Sequence, residues 1–342
     1  MAHHEETYSP VGLPGPGVTG LAPREGSDFL VTAGTSAETG PVEQTTRVSS
    51  PARDAWRRYR RNWAAMISLG VLIILIIMAV FAPFMHTSDP LGQDYNAISV
   101  GPSPTHWFGT NQDGSDLYSQ LVYGLRVPLT VGLIGTLVTV VIGTLVGLAA
   151  GYFGGIVDSA LSRLTDLFLA FPVFLLVLLS AVLFGHVLDP EFGGSGRVVV
   201  LTIVFALFSW PVLTRFVRSL ALSLREGQYV EAARTCGSSN WKIIRRHLLP
   251  NMFGLILVQT ALIAIGIVYI ETTLSIFGLG IEPPNPDIGQ ILFYGSSQLE
   301  LGVQPGIYSA VVFSSLLLIL LLVSLTFIGD GVRDAYDPRG NA

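Results

Sequence analysis

The chain reads as an all-α membrane protein with six transmembrane helices and both ends in the cytoplasm. Three observations carry that reading. Half of the 342 residues are apolar and only 13% are charged, with a mean hydropathy of +0.57; a soluble domain carries roughly a quarter charged residues. Six stretches are apolar over about 18 residues, long enough for a helix to satisfy its own backbone across a bilayer. The charges are also sorted. Of the 19 Lys and Arg residues, all but Arg126 and Arg197 fall on one side of those stretches, which the positive-inside rule makes cytoplasmic.

Residues 1–52 come first, rich in Gly, Pro, Ser, Thr and Glu and short of large apolar residues. Such a segment cannot bury enough surface to order itself, so a disordered cytoplasmic tail is expected. Gly15, Gly17 and Gly20 spell GxGxxG, but no strand precedes and no helix follows, so no dinucleotide site is read there. His3 and His4 are too short a pair to argue a metal. The basic cluster Arg53, Arg57, Arg58, Arg60 and Arg61 could suggest nucleic acid, but it abuts an apolar run and reads as a cytoplasmic membrane anchor.

The spans follow in order: Ala64–Met85, one within Val127–Val157, one within Leu167–Leu188, Val198–Thr214, one from about Asn251 to Phe277, and one within Leu301–Gly329. Loops 86–126, 189–197 and 278–300 then face outward. They hold nine acids: Asp89, Asp94, Asp113, Asp116, Asp189, Glu191, Glu282, Asp287 and Glu300. Loops 158–166 and 215–250 face the cytoplasm. In the second span Gly143, Gly147, Gly151 and Gly155 recur every four residues and give one helix face without side chains, a packing face. Pro172 should kink the third span, because it removes a backbone hydrogen bond. Glu271 is the one acid deep in a span. It reads either as a pathway residue or cation partner, or as an interhelix hydrogen bond. The prolines Pro283, Pro284 and Pro286 after it mark an outer loop or re-entrant turn, with room for a short helix.

Within the longest cytoplasmic loop, Tyr229–Thr235 reads as a short helix centred on Glu231, Ala232, Ala233 and Arg234. Gly237 ends it, since Gly turns left-handed without steric cost. Ser238, Ser239 and Asn240 can cap a second, basic helix carrying Trp241, Lys242, Arg245 and Arg246, before Pro250 where the chain re-enters the membrane. A helix–Gly–helix knuckle with a small-residue face is a docking shape.

Motifs for catalysis are missing from the sequence. Its one lysine, Lys242, follows Trp241, so there is no GxxxxGK[ST] phosphate loop. No HExxH or other metal spacing occurs among the six histidines, and no GxSxG. The single cysteine, Cys236, excludes a disulfide framework. A membrane protein with a cytoplasmic docking knuckle and no energy source of its own points to a partner that supplies the energy. An ion-coupled secondary transporter, which would need more paired ionisable groups than Glu271 offers, and a channel or scaffold are the rival readings.

Glu231-Ala232-Ala233, three residues, Gly237, then Leu248-Leu249-Pro250 resembles the EAA–Gly–LP signature of permease subunits in bacterial ABC importers. His247 stands where the general signature has Ile. The resemblance extends from about residue 53 onward and is to the C-type subunit of oligopeptide and dipeptide importers. It is carried by Arg57-Arg58-Tyr59-Arg60-Arg61-Asn62, Phe81-Ala82-Pro83, His106-Trp107-Phe108-Gly109-Thr110, Gly114-Ser115-Asp116, Tyr123-Gly124-Leu125-Arg126, Leu274-Ser275, Gly278-Leu279-Gly280, Gly329-Asp330-Gly331 and Asp337-Pro338-Arg339. Ser115 and Gln120 stand where members usually carry Arg, and the 52-residue tail has no counterpart.

The resemblance implies a type I importer permease fold. It divides the chain into the tail 1–52, a first transmembrane helix with outer segment (53–126), a five-helix permease core (127–335) with coupling loop 215–250, and a cytoplasmic tail 336–342. It further implies that Tyr229, Glu231, Ala232, Ala233, Gly237, Leu249 and Pro250 couple to an ATPase. Expected partners are a second homologous permease, two ATP-binding cassette subunits that hold the ATP and Mg, an extracytoplasmic peptide-binding protein and the lipid bilayer. No cofactor in this chain, no enzymatic activity of its own and no nucleic acid are expected. Alternating access is the implied mechanism, in a bacterial cell membrane, with peptides as cargo; nickel chelates or other small solutes are the alternative within the family.

Overall fold

The computed structural model describes residues 51–192, 196–281, 285–299, 302 and 304–336, with side chains from 53 to 184 and from 196 onward. The tail that holds His3, His4 and the Gly15–Gly20 motif lies outside the described residues, as do Glu282, Pro283, Pro284, Glu300 and the chain from Asp337. So do the side chains of Asp189 and Glu191.

α1 (Pro51–Tyr59) carries the basic cluster and buries Ala55 and Tyr59 on its other face. Asn62 is extended, and its Oδ1 accepts from Ala65 N at 3.2 Å, capping α2 (Trp63–Val80). The first span was expected to run to Met85; the helix ends at Val80, and α3 (Ala82–Met85) starts separately. The cause is Pro83, which has no N–H to return to the carbonyl of Ala79. Phe84 N turns to Phe81 O at 2.8 Å. The Ala79 and Val80 carbonyls are taken instead by the Arg126 guanidinium, Nε at 2.7 Å and Nη2 at 3.4 Å.

An irregular outer segment leads to α4 (Leu117–Gly124). Asp116 holds it in place: its carboxylate accepts from Ser119 N at 2.9 Å, Thr87 Oγ1 at 2.7 Å and His106 Nδ1 at 3.1 Å.

α5 (Arg126–Phe153), the span expected within Val127–Val157, stops at Gly154 (φ +67), and Gly155 (φ +54) starts α6 (Gly155–Leu169). Residues 158–166, expected as a cytoplasmic loop, are helical. α6 and α7 (Val173–Phe192) are separated at Phe171–Pro172 and bent by 65°. Among the described residues five helices are long and apolar enough to cross a membrane, six when this bent pair is taken as one span.

α8 (Gly196–Arg225) runs eleven residues beyond the expected end at Thr214. Charge ends a membrane span but not a helix. Here Arg218 pairs with Asp158, through Nε to Oδ1 and Nη2 to Oδ2 at 2.8 Å, and Arg215 with Asp166 at 2.6 Å, so the extension packs on α6. After it come α9 (Gln228–Thr235), α10 (Asn240–Ile243), a π-turn at Ile244–Leu248, α11 (Leu249–Ile276), α12 (Ile288–Leu299) and α13 (Pro305–Tyr336). α12 is the short helix foreseen after the proline-rich turn. α13 buries Ala335 against Ala55, Tyr59 and Ala65, which ties the basic helix to the last one.

The glycine row decides the main packing. A Cβ on Gly143, Gly147 or Gly151 would stand 2.9, 2.7 or 2.6 Å from the Cβ of Leu213, Val217 or Ala221 of α8. Successive turns of α5 and α8 therefore meet at backbone distance, and Thr214 Oγ1 donates to Gly143 O at 3.3 Å. Gly155 is not part of that face. It lies beyond the end of α5, where an added Cβ would meet nothing within 4 Å.

Gly147→Leu is expected to destabilise the bundle by about 1–3 kcal/mol through overpacking, read as a lowered thermal midpoint in detergent. An unchanged midpoint would mean that α5 and α8 do not touch there.

Candidate functional site

The knuckle is built from one buried residue outward. In α9 only Val230 is fully buried, seated with Leu148, Tyr152, Val217, Ile243 and Leu248 in the lower core. Ala233 packs against the same core from its edge. Tyr229, Glu231, Ala232, Arg234 and Thr235 are exposed. The helix is thus pinned on one side and bare on the other.

Gly237 adopts φ +75, and the turn closes as a Schellman motif: Ser238 N donates to Ala233 O at 3.0 Å and Gly237 N to Arg234 O at 2.9 Å. An added Cβ at Gly237 would meet nothing within 4 Å. Conformation, not space, requires glycine there. Ser239 caps α10, accepting from Lys242 N at 3.4 Å.

α10, the π-turn and α11 form one continuous helical stretch, Asn240–Ile276. The sequence suggested two pieces meeting at Pro250. Pro250 instead sits in the first turn of α11, and the wider turn before it, with Leu249 N reaching back to Ile244 O, accommodates the ring. Leu248 is fully buried and Leu249 partly so, while Pro250 is exposed.

Two clamps join the knuckle to the end of α5. Tyr152 Oη donates to Asn240 Oδ1 at 2.9 Å, and the Arg234 guanidinium lies 5.4 Å from the Tyr152 ring centroid. Arg225 Nη1 donates to Gly151 O at 3.1 Å. Val230, Tyr152 and Arg225 were not singled out from sequence. The signal available was position: Tyr152 directly follows a glycine of the packing row.

The exposed side presents Glu231 and Ala232 with Tyr229 40% exposed, and Trp241 65% exposed on the next helix. Lys242, Arg245 and Arg246 are exposed beside it. Among the described residues no group of three or more His, Cys, Asp or Glu could hold a metal ion. The arrangement leaves one helix face bare beside a basic one, with the free thiol of Cys236 exposed at the turn between them.

Glu271 lies near the far end of α11, 1% exposed, with Oε2 accepting from Thr272 Oγ1 at 3.4 Å and Oε1 without a partner among the described residues. It does not line the cavities that border Asp287, Arg126 or Ala79 at that end. One turn further, Ser275 Oγ donates to Asp287, whose other oxygen accepts from Gly289 N at 3.1 Å. Burial pushes the Asp287 carboxyl up to about 7, against the pull of backbone bonds from Gly289 and Ile281.

Residues 143–341, which include the knuckle, match the family described as "Binding-protein-dependent transport system inner membrane component". Residues 50–102 match the "N-terminal TM domain of oligopeptide transport permease C". The chain is 34% identical over 290 residues to the dipeptide transport system permease protein DppC of Bacillus subtilis, covering 85% of this chain and 86% of that protein. It is 34% identical over 288 residues to the oligopeptide transport system permease protein OppC of Mycobacterium tuberculosis (84% and 94%). It is 33% identical over 301 residues to the glutathione transport system permease protein GsiD of Pectobacterium atrosepticum (87% and 95%).

Tyr152→Phe is expected to weaken the clamp by about 0.5–1.5 kcal/mol. Amide hydrogen exchange across residues 228–248 should then speed up while that of α5 stays constant. Exchange unchanged in both would show that the clamp does not hold the knuckle.

Proposed function

We infer the working of this chain from its kinship: it belongs to the binding-protein-dependent transport system inner membrane components, and within them to the OppC/DppC-type permeases. It is the permease subunit of an ATP-driven peptide importer, a multi-pass protein of the bacterial inner membrane whose ATP is hydrolysed by ATPase partners.

The finer assignment is our proposal. Two ATP-binding cassette subunits serve the importer, and one receives the bare face of α9 in a surface groove. Ala232 allows close approach, Glu231 makes the charged contact, and Tyr229 and Trp241 flank it. The single observation that carries the reading is the two-sidedness of the knuckle, seated through Val230 and free through Glu231 and Ala232. Gly237 fixes the angle between α9 and α10, and Leu249 and Pro250 lie where the motion passes into α11.

When the ATPases close on ATP, the knuckle is displaced. The continuous helix Asn240–Ile276 carries that displacement toward the outer end of the membrane. A second, homologous permease completes the path, and an extracytoplasmic binding protein delivers peptide to the outer segment. Glu271, buried within this chain, fits an interhelix role better than a place on the path wall. The three relatives named for dipeptide, oligopeptide and glutathione transport support peptides over metal chelates as the cargo.

Glu231→Lys and Ala232→Trp, made separately, should each leave membrane insertion intact and lower ATPase co-purification and peptide import by roughly tenfold or more, as loss of an interface anchor does. Normal co-purification and import in both variants would remove the knuckle from the ATPase interface.

A further inference from the structure

We propose that Arg126 binds the free α-carboxylate of the incoming peptide at the outer mouth of this subunit; the inference rests on the peptide-importer reading above. Arg126 opens α5, and Tyr152 at the other end of that helix touches the knuckle. Arg126 therefore stands at the opposite end of the bundle from the ATPase side, the end that the distribution of Lys and Arg makes outer.

The guanidinium is held by its side edge. Nε and Nη2 donate to the Ala79 and Val80 carbonyls, the two groups that Pro83 and the break at Phe81 leave unsatisfied at the end of α2. Its carbon lies 4.8 Å from the Tyr123 ring centroid, a cation–π contact that fixes the plane. Guanidinium has five N–H donors in a rigid fork. With the Nε–Nη2 edge occupied, the end formed by Nη1 and the second Nη2 hydrogen has no partner among the described residues. That end has the spacing that takes both oxygens of one carboxylate.

No acid of the described chain neutralises it. Among the described residues the ion pairs include His106 with Asp116, Arg215 with Asp166, Arg218 with Asp158 and Arg225 with Glu226, and Arg126 has none. The other outer arginine, Arg197, is buried and donates to Gly280 O at 2.8 Å.

Arg126 also borders a cavity of about 760 Å³, within the roughly 300–1,000 Å³ typical of small-molecule sites. Tyr123, His86 and Asp89 share its polar wall, and Val127 and Val199 its apolar one. Asp89 accepts from Leu91 N at 3.0 Å through one oxygen, so the wall offers both signs of charge. A short peptide at neutral pH is a zwitterion, its α-carboxyl ionising near about 3.5. The cavity fits that charge pattern and leaves apolar surface for a side chain.

The test is import into proteoliposomes by the assembled importer, with its binding protein loaded to equal occupancy by one tripeptide carrying either a free or an amidated carboxyl end. Arg126→Gln should lower the free-to-amidated import ratio roughly tenfold, the scale of a lost charge-assisted pair. Arg126→Lys, which keeps the charge but not the fork, should lower it partway. If Arg126→Gln does not assemble, the ratio in Arg126→Lys decides. An unchanged ratio in the assembled variants, or equal loss of both peptides, would overturn the proposal and leave Arg126 only as a cap for α2. If the unaltered importer carries neither peptide, the peptide reading fails first and takes this inference with it.

Discussion

Gly143, Gly147 and Gly151 bring α5 and α8 to backbone distance, and the lower core is laid on that approach. With Ala221 seated against Gly151, Arg225 reaches the Gly151 carbonyl and Tyr152 is carried to Asn240. Val217 and Leu213 then form the floor under Val230, Ile243 and Leu248. A side chain at Gly147 would push α8 outward and unseat contacts well beyond its own. Close small-residue packing is the way helices associate where lipid offers no hydrophobic drive. Here it also sets where the knuckle sits.

The knuckle adds direction to that platform. Because α9 is anchored through Val230, with Ala233 at the edge of the same core, most of its surface is exposed. Because α10 runs through the π-turn into α11, displacement at the surface has a helical route to the far side. At that far side the end of α11 is tied to α12 through Ser275 and Asp287, and α5 presents Arg126. The knuckle and the outer segment are therefore joined by the same two long helices, α5 and α11.

Much of this was legible in the sequence. The apolar runs placed the spans. Glu231-Ala232-Ala233 and Gly237 marked the knuckle, and the positive φ at Gly237 is the conformation glycine was expected to serve. The boundaries were less legible, for physical reasons. Hydropathy reports where charge begins, so α8 looked finished at Thr214, although Arg215 and Arg218 continue as helix by pairing with Asp166 and Asp158. Four-residue spacing could not tell that Gly155 lies beyond a turn. Pro83 and Pro250 look alike as helix breakers. One ends α2, while the other is absorbed by a wider turn, and that difference lies in the neighbouring carbonyls. Long-range contacts such as Tyr152 to Asn240 and Arg126 to Ala79 leave no local trace.

The central claim is that the stretch from α10 through α11 moves as a rod when the ATPases close. With Cys236 replaced by Ser, spin labels at Trp241→Cys and Phe277→Cys report its length, about 54 Å for 36 residues of helix. A second pair, Trp241→Cys and Leu91→Cys, reports its position against the outer segment. In the assembled importer the first distance should be the same with and without bound ATP, while the second changes. A change of roughly 5 Å, one helical turn, in the first distance would place a hinge at the π-turn and contradict the account.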